Sequence, residues 1–114
     1  MARRDHPDGC PIARTAGLVG DIWTLLILRD LGRGHCRFGE LLLSLEGVSS
    51  RTLSGRLKML EADGVILRES YAEIPPRVEY ALTEKGEALL PLVEEMRRFG
   101  EEWLPRSVGS GKPT

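Results

Sequence analysis

Arg51, Arg56 and Lys58 lie within residues 49–60, a stretch with three cations and no carboxylate. An arginine fork can pair with guanine O6 and N7 or with a phosphate, and a lysine ammonium is a flexible point charge suited to phosphate. Ser49, Ser50, Thr52 and Ser54 intersperse hydroxyls among these cations. The chemistry these side chains could do together is recognition of duplex DNA. Solvated charges on an ordinary helix would have the same composition, so the reading depends on the elements that position them.

Those elements can be read on both sides. Glu46, Gly47 and Val48 form a turn signal, and Ser49 stands where an N-cap belongs, with Val48 and Leu53 placed as a hydrophobic staple. If Leu53, Leu57 and Leu60 face the core, a 3.6-residue period turns Arg51, Gly55 and Lys58 outward with Ser54 beside them. Arg51, near the helix start, is then aimed at a base edge, and Lys58 at a phosphate. Arg56 falls on the flank, where a phosphate or an acid of its own domain could take it. Gly55 inside a helix costs roughly 1 kcal/mol relative to Ala, and close approach of the backbone to DNA would be a reason to keep it. Upstream, Phe38, Leu41, Leu42 and Leu45 recur at helical spacing as a supporting helix. Downstream of Gly64, residues 65–71 are β-rich, Pro75-Pro76 breaks the run, and Val78, Tyr80 and Leu82 alternate with Arg77, Glu79 and Ala81. This is a hairpin wing. Arg68 and Arg77 on it are candidates for phosphate or minor-groove contact, although Glu69 and Glu73 dilute the charge.

The flanks complete a winged helix-turn-helix that is mainly α with a small β-hairpin wing. Asp21 can cap a helix that runs through Leu31 and is closed by Gly32; its apolar residues lie almost all round, which predicts a central helix with Trp23 in the core. Thr83 begins a last long helix carrying Leu89, Leu92, Val93, Met96, Phe99 and Trp103 at helical spacing, with a kink expected within residues 86–91 because Pro91 lacks a backbone donor. That stripe, with Ile12, is read as the interface with a second copy across a two-fold axis, so the fold dimerises through its terminal helices. Residues 1–9 read as a flexible arm, 10–104 as the single domain and 105–114 as a disordered tail rich in Pro, Gly and Ser. No internal repeat is present.

Composition bounds the rest. With 114 residues, 41% of them apolar, one modest core is affordable, and a net charge of -1 with a pI near 6.1 argues against indiscriminate polyanion binding. DNA affinity must therefore come from local placement of cations. There is no run of 18 apolar residues and no apolar signal core at the N-terminus, so a cytoplasmic protein with no membrane association is expected. His6, Cys10, His35 and Cys36 make a poor zinc set, since adjacent His35 and Cys36 would struggle to ligate one tetrahedral ion and no C-x-x-C pair exists. No metal and no other cofactor is expected. An enzyme finds no support, because no Ser-His-Asp set, phosphate-cradling glycine loop or paired acid is evident.

In order along the chain, the segments CPI, GDIWTLLILRDL, RFGELL, VSSRTLSGRLKMLEADGVILR and PPRVEYALTEKG strongly resemble the HxlR family of bacterial transcriptional regulators, relatives of the MarR group. The resemblance runs from Cys10 to about Trp103. Its most specific part is PPRVEYALTEKG directly after a helix-turn-helix. Asp21-Ile22 stand where family members often have Gly-Lys, and Gly55 replaces a larger residue. The resemblance implies a homodimer that sets two copies of the 49–62 helix in successive major grooves, roughly 34 Å apart, over an inverted-repeat operator. It further implies a regulator, more in keeping with repression than activation, that responds to an oxidant or small-molecule effector, and it matches Cys10 to a cysteine that senses oxidants or electrophiles in several members. Cys10 precedes a helix that has Pro11 at its first position and Arg14 close by, and helix N-termini and cations favour the reactive thiolate. The alternative at Cys10 is a free, partly buried thiol. The alternative for the whole chain is a winged-helix module that binds protein, which a polar, basic recognition face disfavours.

Overall fold

The computed structural model describes residues 9–106; residues 1–8 of the expected arm, His6 among them, and residues 107–114 of the expected tail lie outside the described residues. In chain order the elements are α1 (Pro11–Val19), α2 (Ile22–Gly32), α3 (Phe38–Ser44), α4 (Ser50–Ala62), β1 (Ile66–Tyr71), β2 (Arg77–Leu82), α5 (Glu84–Ala88) and α6 (Leu90–Trp103). The chain is a winged helix-turn-helix, mainly helical with one antiparallel hairpin.

The centre is α2, which touches α1, α3, α4, α6 and β2. Asp21 caps it by accepting a hydrogen bond from the Thr24 amide at 3.1 Å, satisfying one of the orphan donors of its first turn. Ile27, Leu28 and Leu31 are buried, but Ile22 is 62% exposed, and Leu25 and Leu26 are only half-buried. The expected burial on all sides is thus corrected: one side of α2 faces a groove against α6 rather than core. Trp23, expected in the core, is half-buried and packs on its rim, with its ring 3.9 Å from where a Cβ on Gly47 would stand. Gly32 is the last helical residue rather than the terminator. The chain turns at Gly34, whose φ of 98° is the left-handed conformation glycine adopts without a Cβ penalty. Gly32 has a packing role instead, since a Cβ there would lie 3.0 Å from Leu90 Cδ2 on α6.

The α3–α4 pair follows its local signals. Leu41 and Leu45 are buried, Gly47 turns the chain with φ 95°, and Ser49 Oγ accepts from the Thr52 amide at 3.0 Å. Val48 and Leu53 enter the same buried cluster as Leu57 and Leu60. Glu40 Oε1 accepts from the amides of Cys36 and Arg37 at 2.9 and 3.0 Å, which anchors the start of α3.

In the hairpin, Ile66 pairs with Leu82 at the base and Tyr71 with Arg77 at the tip. A third, very short partner joins it: Arg37 bridges Glu79, and the Tyr80 amide donates to the Cys36 carbonyl at 2.8 Å. The wing is therefore hydrogen-bonded to the entry of the helix-turn-helix.

The expected single terminal helix is two. Thr83 caps α5 by accepting from the Gly86 amide at 3.1 Å and donates to the carbonyl oxygens of Gly64 and Val65. The break falls at Leu89, and α6 begins with Pro91 in its first turn, where a missing N–H is harmless. Proline thus ends one helix and starts the next instead of kinking a continuous one. Leu89 and Val93, expected at an interface, pack on the domain's own core, whereas Leu92, Met96, Phe99 and Trp103 remain exposed and no residue of α6 is buried. Between α2 and α6 runs a mostly apolar groove of about 690 Å³, and a second of about 460 Å³ opens between α1 and α6. Leu25 and Met96 line both, which makes them one continuous apolar face.

Candidate nucleic-acid interface

The outward face of α4 carries the exposed Arg51 and Lys58, and among the described residues neither makes an ion pair or side-chain hydrogen bond. Their helix is fixed from behind by Leu53, Leu57 and Leu60, each no more than 2% exposed. Gly55 lies between them, and a Cβ placed there would meet nothing within 4 Å. No internal packing requires the glycine. Ser54 and Lys58 join Arg68 of β1, Glu61 and Tyr80 around a cavity of about 370 Å³ between α4 and the wing. Two cations from different elements thus share one concavity with a single carboxylate. Among the described residues, Arg68 is otherwise held by a long 3.5 Å bond to Ser70 Oγ.

Arg56 and Arg77 are placed differently. Arg56 takes the second of the two partners open to it, an acid of its own domain: its Nε donates to Asp21 Oδ2 at 2.9 Å and its Nη2 to Oδ1 at 3.2 Å. The Arg56 guanidinium holds the Asp21 carboxyl below its ordinary range, against the opposing push of burial. Arg77 lies 4.0 Å over the Tyr71 ring and pairs with Glu73 at 3.1 Å and Glu79 at 3.4 Å. Its charge is engaged within the wing. The hairpin register sets Arg77 opposite Tyr71.

The two cysteines have different surroundings. Cys10 is the half-buried N-cap residue of α1, with no capping bond from its side chain and with Pro11 next to it. Cys36 is half-buried beneath the wing, where burial first and the carboxylates of Glu79 and Glu40 second push its thiol pKa up. Among the described residues no group of three or more His, Cys, Asp or Glu could hold a metal ion, and no single helix is long and apolar enough to cross a membrane.

Residues 18–108 match the model of the HxlR-like helix-turn-helix family. The chain belongs to the HxlR family. An uncharacterised helix-turn-helix transcriptional regulator of Synechocystis is 45% identical over 95 residues, which span 83% of this chain and 70% of that protein. Among solved structures, a MarR-family transcriptional regulator of Porphyromonas gingivalis superposes with a TM-score of 0.82 at 39% identity, covering 90% of this chain and all of that one. The redox regulator HypR in its oxidised form gives a TM-score of 0.77 at 38% identity, covering 82% of this chain and 96% of HypR. This HxlR-family protein is therefore a transcriptional regulator that binds DNA through a helix-turn-helix.

Proposed function

We propose that this HxlR-family protein is a sequence-specific repressor that acts in the cytoplasm as a homodimer on a pseudo-palindromic operator, with oxidants or electrophiles acting through Cys10. The observation that carries the DNA reading is the acid-free outer face of α4, where Arg51 and Lys58 are exposed and unengaged on a capped helix. Ser49, Ser50, Thr52 and Ser54 supply hydroxyls around Arg51, and Arg68 adds a cation from the wing. Arg51 reads a base edge, because side chains near a recognition-helix N-terminus enter the groove. Lys58 and Arg68 grip phosphates, which position the protein without specifying sequence. The apolar face shared by α1, α2 and α6 supports pairing with a second copy through Ile12, Leu92, Met96, Phe99 and Trp103. A dimer seated over a promoter excludes polymerase, which gives repression its physical basis. The description of HypR as a redox regulator supports the assignment of sensing to Cys10.

Fluorescence anisotropy with DNA from upstream of the gene, against scrambled DNA at near-physiological salt, tests this reading. A preference of about 10³-fold or more is expected. Equal weak binding to both would favour a protein-binding module. Within a specific complex, Arg51→Ala should cost about 1–3 kcal/mol and relax preference at one base position, while Lys58→Ala should weaken all sequences alike and flatten the salt slope by about one. Identical effects of the two substitutions would overturn the division of roles between them.

A further inference from the structure

Arg56 is the third cation of the recognition helix, yet its guanidinium is turned away from the acid-free face and held by both oxygens of Asp21, across 35 positions of sequence. The Asp21 carboxylate has a second task, since Oδ2 also accepts from the Thr24 amide at 3.1 Å. One side chain therefore caps α2, the central helix, and ties α4 to it. Both partners are about one-third exposed, with side-chain values of 33% for Arg56 and 34% for Asp21. The pair is therefore within reach of solvent.

We infer that Asp21 is a positioning and specificity residue of the DNA interface, an internal carboxylate that competes with DNA phosphate for Arg56. The inference rests on the DNA reading proposed above. A guanidinium at that edge of α4 could neutralise a phosphate in any sequence, and each phosphate neutralised releases counterions and adds to sequence-independent binding. Asp21 removes this contribution by supplying the negative charge from within the protein. In exchange, the two parallel hydrogen bonds fix the rotation of α4 relative to α2, and with it the direction in which Arg51 enters the groove. A bidentate arginine–carboxylate pair is suited to this, because its planar geometry sets orientation as well as distance. The device lowers non-specific affinity while keeping base readout in register, which suits a chain whose net charge is -1.

The test is the salt dependence of binding to operator and to scrambled duplex for wild type, Asp21→Asn, Arg56→Gln and the double variant. Asparagine retains an oxygen to cap α2 but not the charge. Asp21→Asn is expected to steepen the slope of log affinity against log salt by about 0.9 per protomer. In a dimer that is about 1.8, or an additional loss of roughly tenfold between 50 and 200 mM salt. It should raise affinity for scrambled DNA at low salt and narrow the preference for operator. Arg56→Gln alone should leave the slope unchanged, and adding it to Asp21→Asn should restore the wild-type slope. A merely structural role for the pair would lower stability and affinity without steepening the slope. A flatter slope for Arg56→Gln would mean that Arg56 already contacts phosphate, and this overturns the inference, as does an unchanged slope for Asp21→Asn. Circular dichroism establishes that each variant is folded, and if Asp21→Asn unfolds, Asp21→Ser, whose hydroxyl can also cap α2, replaces it with the same expected steepening, an unchanged slope again overturning the inference. Failure of the underlying DNA reading would show in the wild type, as equal weak binding to operator and scrambled duplex. Failure of the inference alone would show only in the variants.

Discussion

At the residue scale, the two cysteines differ in what surrounds the sulfur, and the difference has a direction. Cys36 is partly covered by the wing and faces the carboxylates of Glu79 and Glu40, all of which disfavour a thiolate and raise its pKa above the ordinary 9.0. The thiolate is the nucleophile, so at neutral pH Cys36 should react more slowly than a free cysteine. Cys10 has no such carboxylates among its described contacts and stands at the start of α1. Iodoacetamide at pH 7 should therefore modify Cys10 first, leaving a slow phase that Cys10→Ser retains and Cys36→Ser removes. The slow phase should accelerate as pH rises, because the thiolate fraction of Cys36 grows toward a pKa that lies above the ordinary range. Equal rates for both thiols would remove the basis for assigning sensing to Cys10.

At the scale of elements, two glycines with opposite environments separate folding from recognition. A Cβ on Gly86 would lie 2.3 Å from the carbonyl oxygen of Val65, the same oxygen that accepts from the amide and hydroxyl of Thr83. Gly86→Ala must push α5 off the base of the wing, and because the clash is with backbone the cost should fall near the upper end of the usual ~1–3 kcal/mol of overpacking, about 3 kcal/mol. Gly55 is open, so Gly55→Ala should stabilise the protein by about 1 kcal/mol, or about 4 °C in Tm for a domain of this size. If the same variant binds operator more weakly despite its higher Tm, the glycine serves close approach to DNA; unchanged binding would leave it without that role. The helices themselves were legible because their signals are local. Asp21 and Ser49 cap the helices they were expected to cap, Thr83 caps the short α5 rather than one long terminal helix, and Pro91 marks the break between α5 and α6. Only its form, a new helix rather than a kink, needed the structure. Gly32 misled because a glycine near a helix end reads as a terminator, whereas here it admits Leu90 and the turn falls to Gly34.

At the scale of the whole molecule, what escaped the sequence is what joins distant segments. Neither the Asp21–Arg56 pair nor the bridge from Arg37 to Glu79 has a periodicity or a motif to announce it. Both depend on how α2, α4 and the wing pack. The apolar stripe of α6 was visible, but its division into an inward part, Leu89 and Val93, and an outward part, Leu92, Met96, Phe99 and Trp103, follows from the break at Leu89. An isolated helix of this length is marginal in water, and α6 buries no residue fully within its own chain. Its outward face adjoins both apolar grooves, and Met96, 49% exposed, lies where they meet. A second copy docked there would cover this face on both protomers at once. Met96→Asp is the sharpest test, because it places a charge at the centre of that face while disturbing little internal packing. Wild type should sediment as a dimer at micromolar concentration and the variant as a folded monomer. Two linked recognition helices bind a full operator with the second contact made intramolecular, which can raise affinity by about 10²–10⁴-fold over one half-site. The variant should lose that factor on the inverted repeat and keep wild-type affinity for a half-site. A monomeric wild type, or a variant that stays dimeric, would assign the apolar face to some other partner.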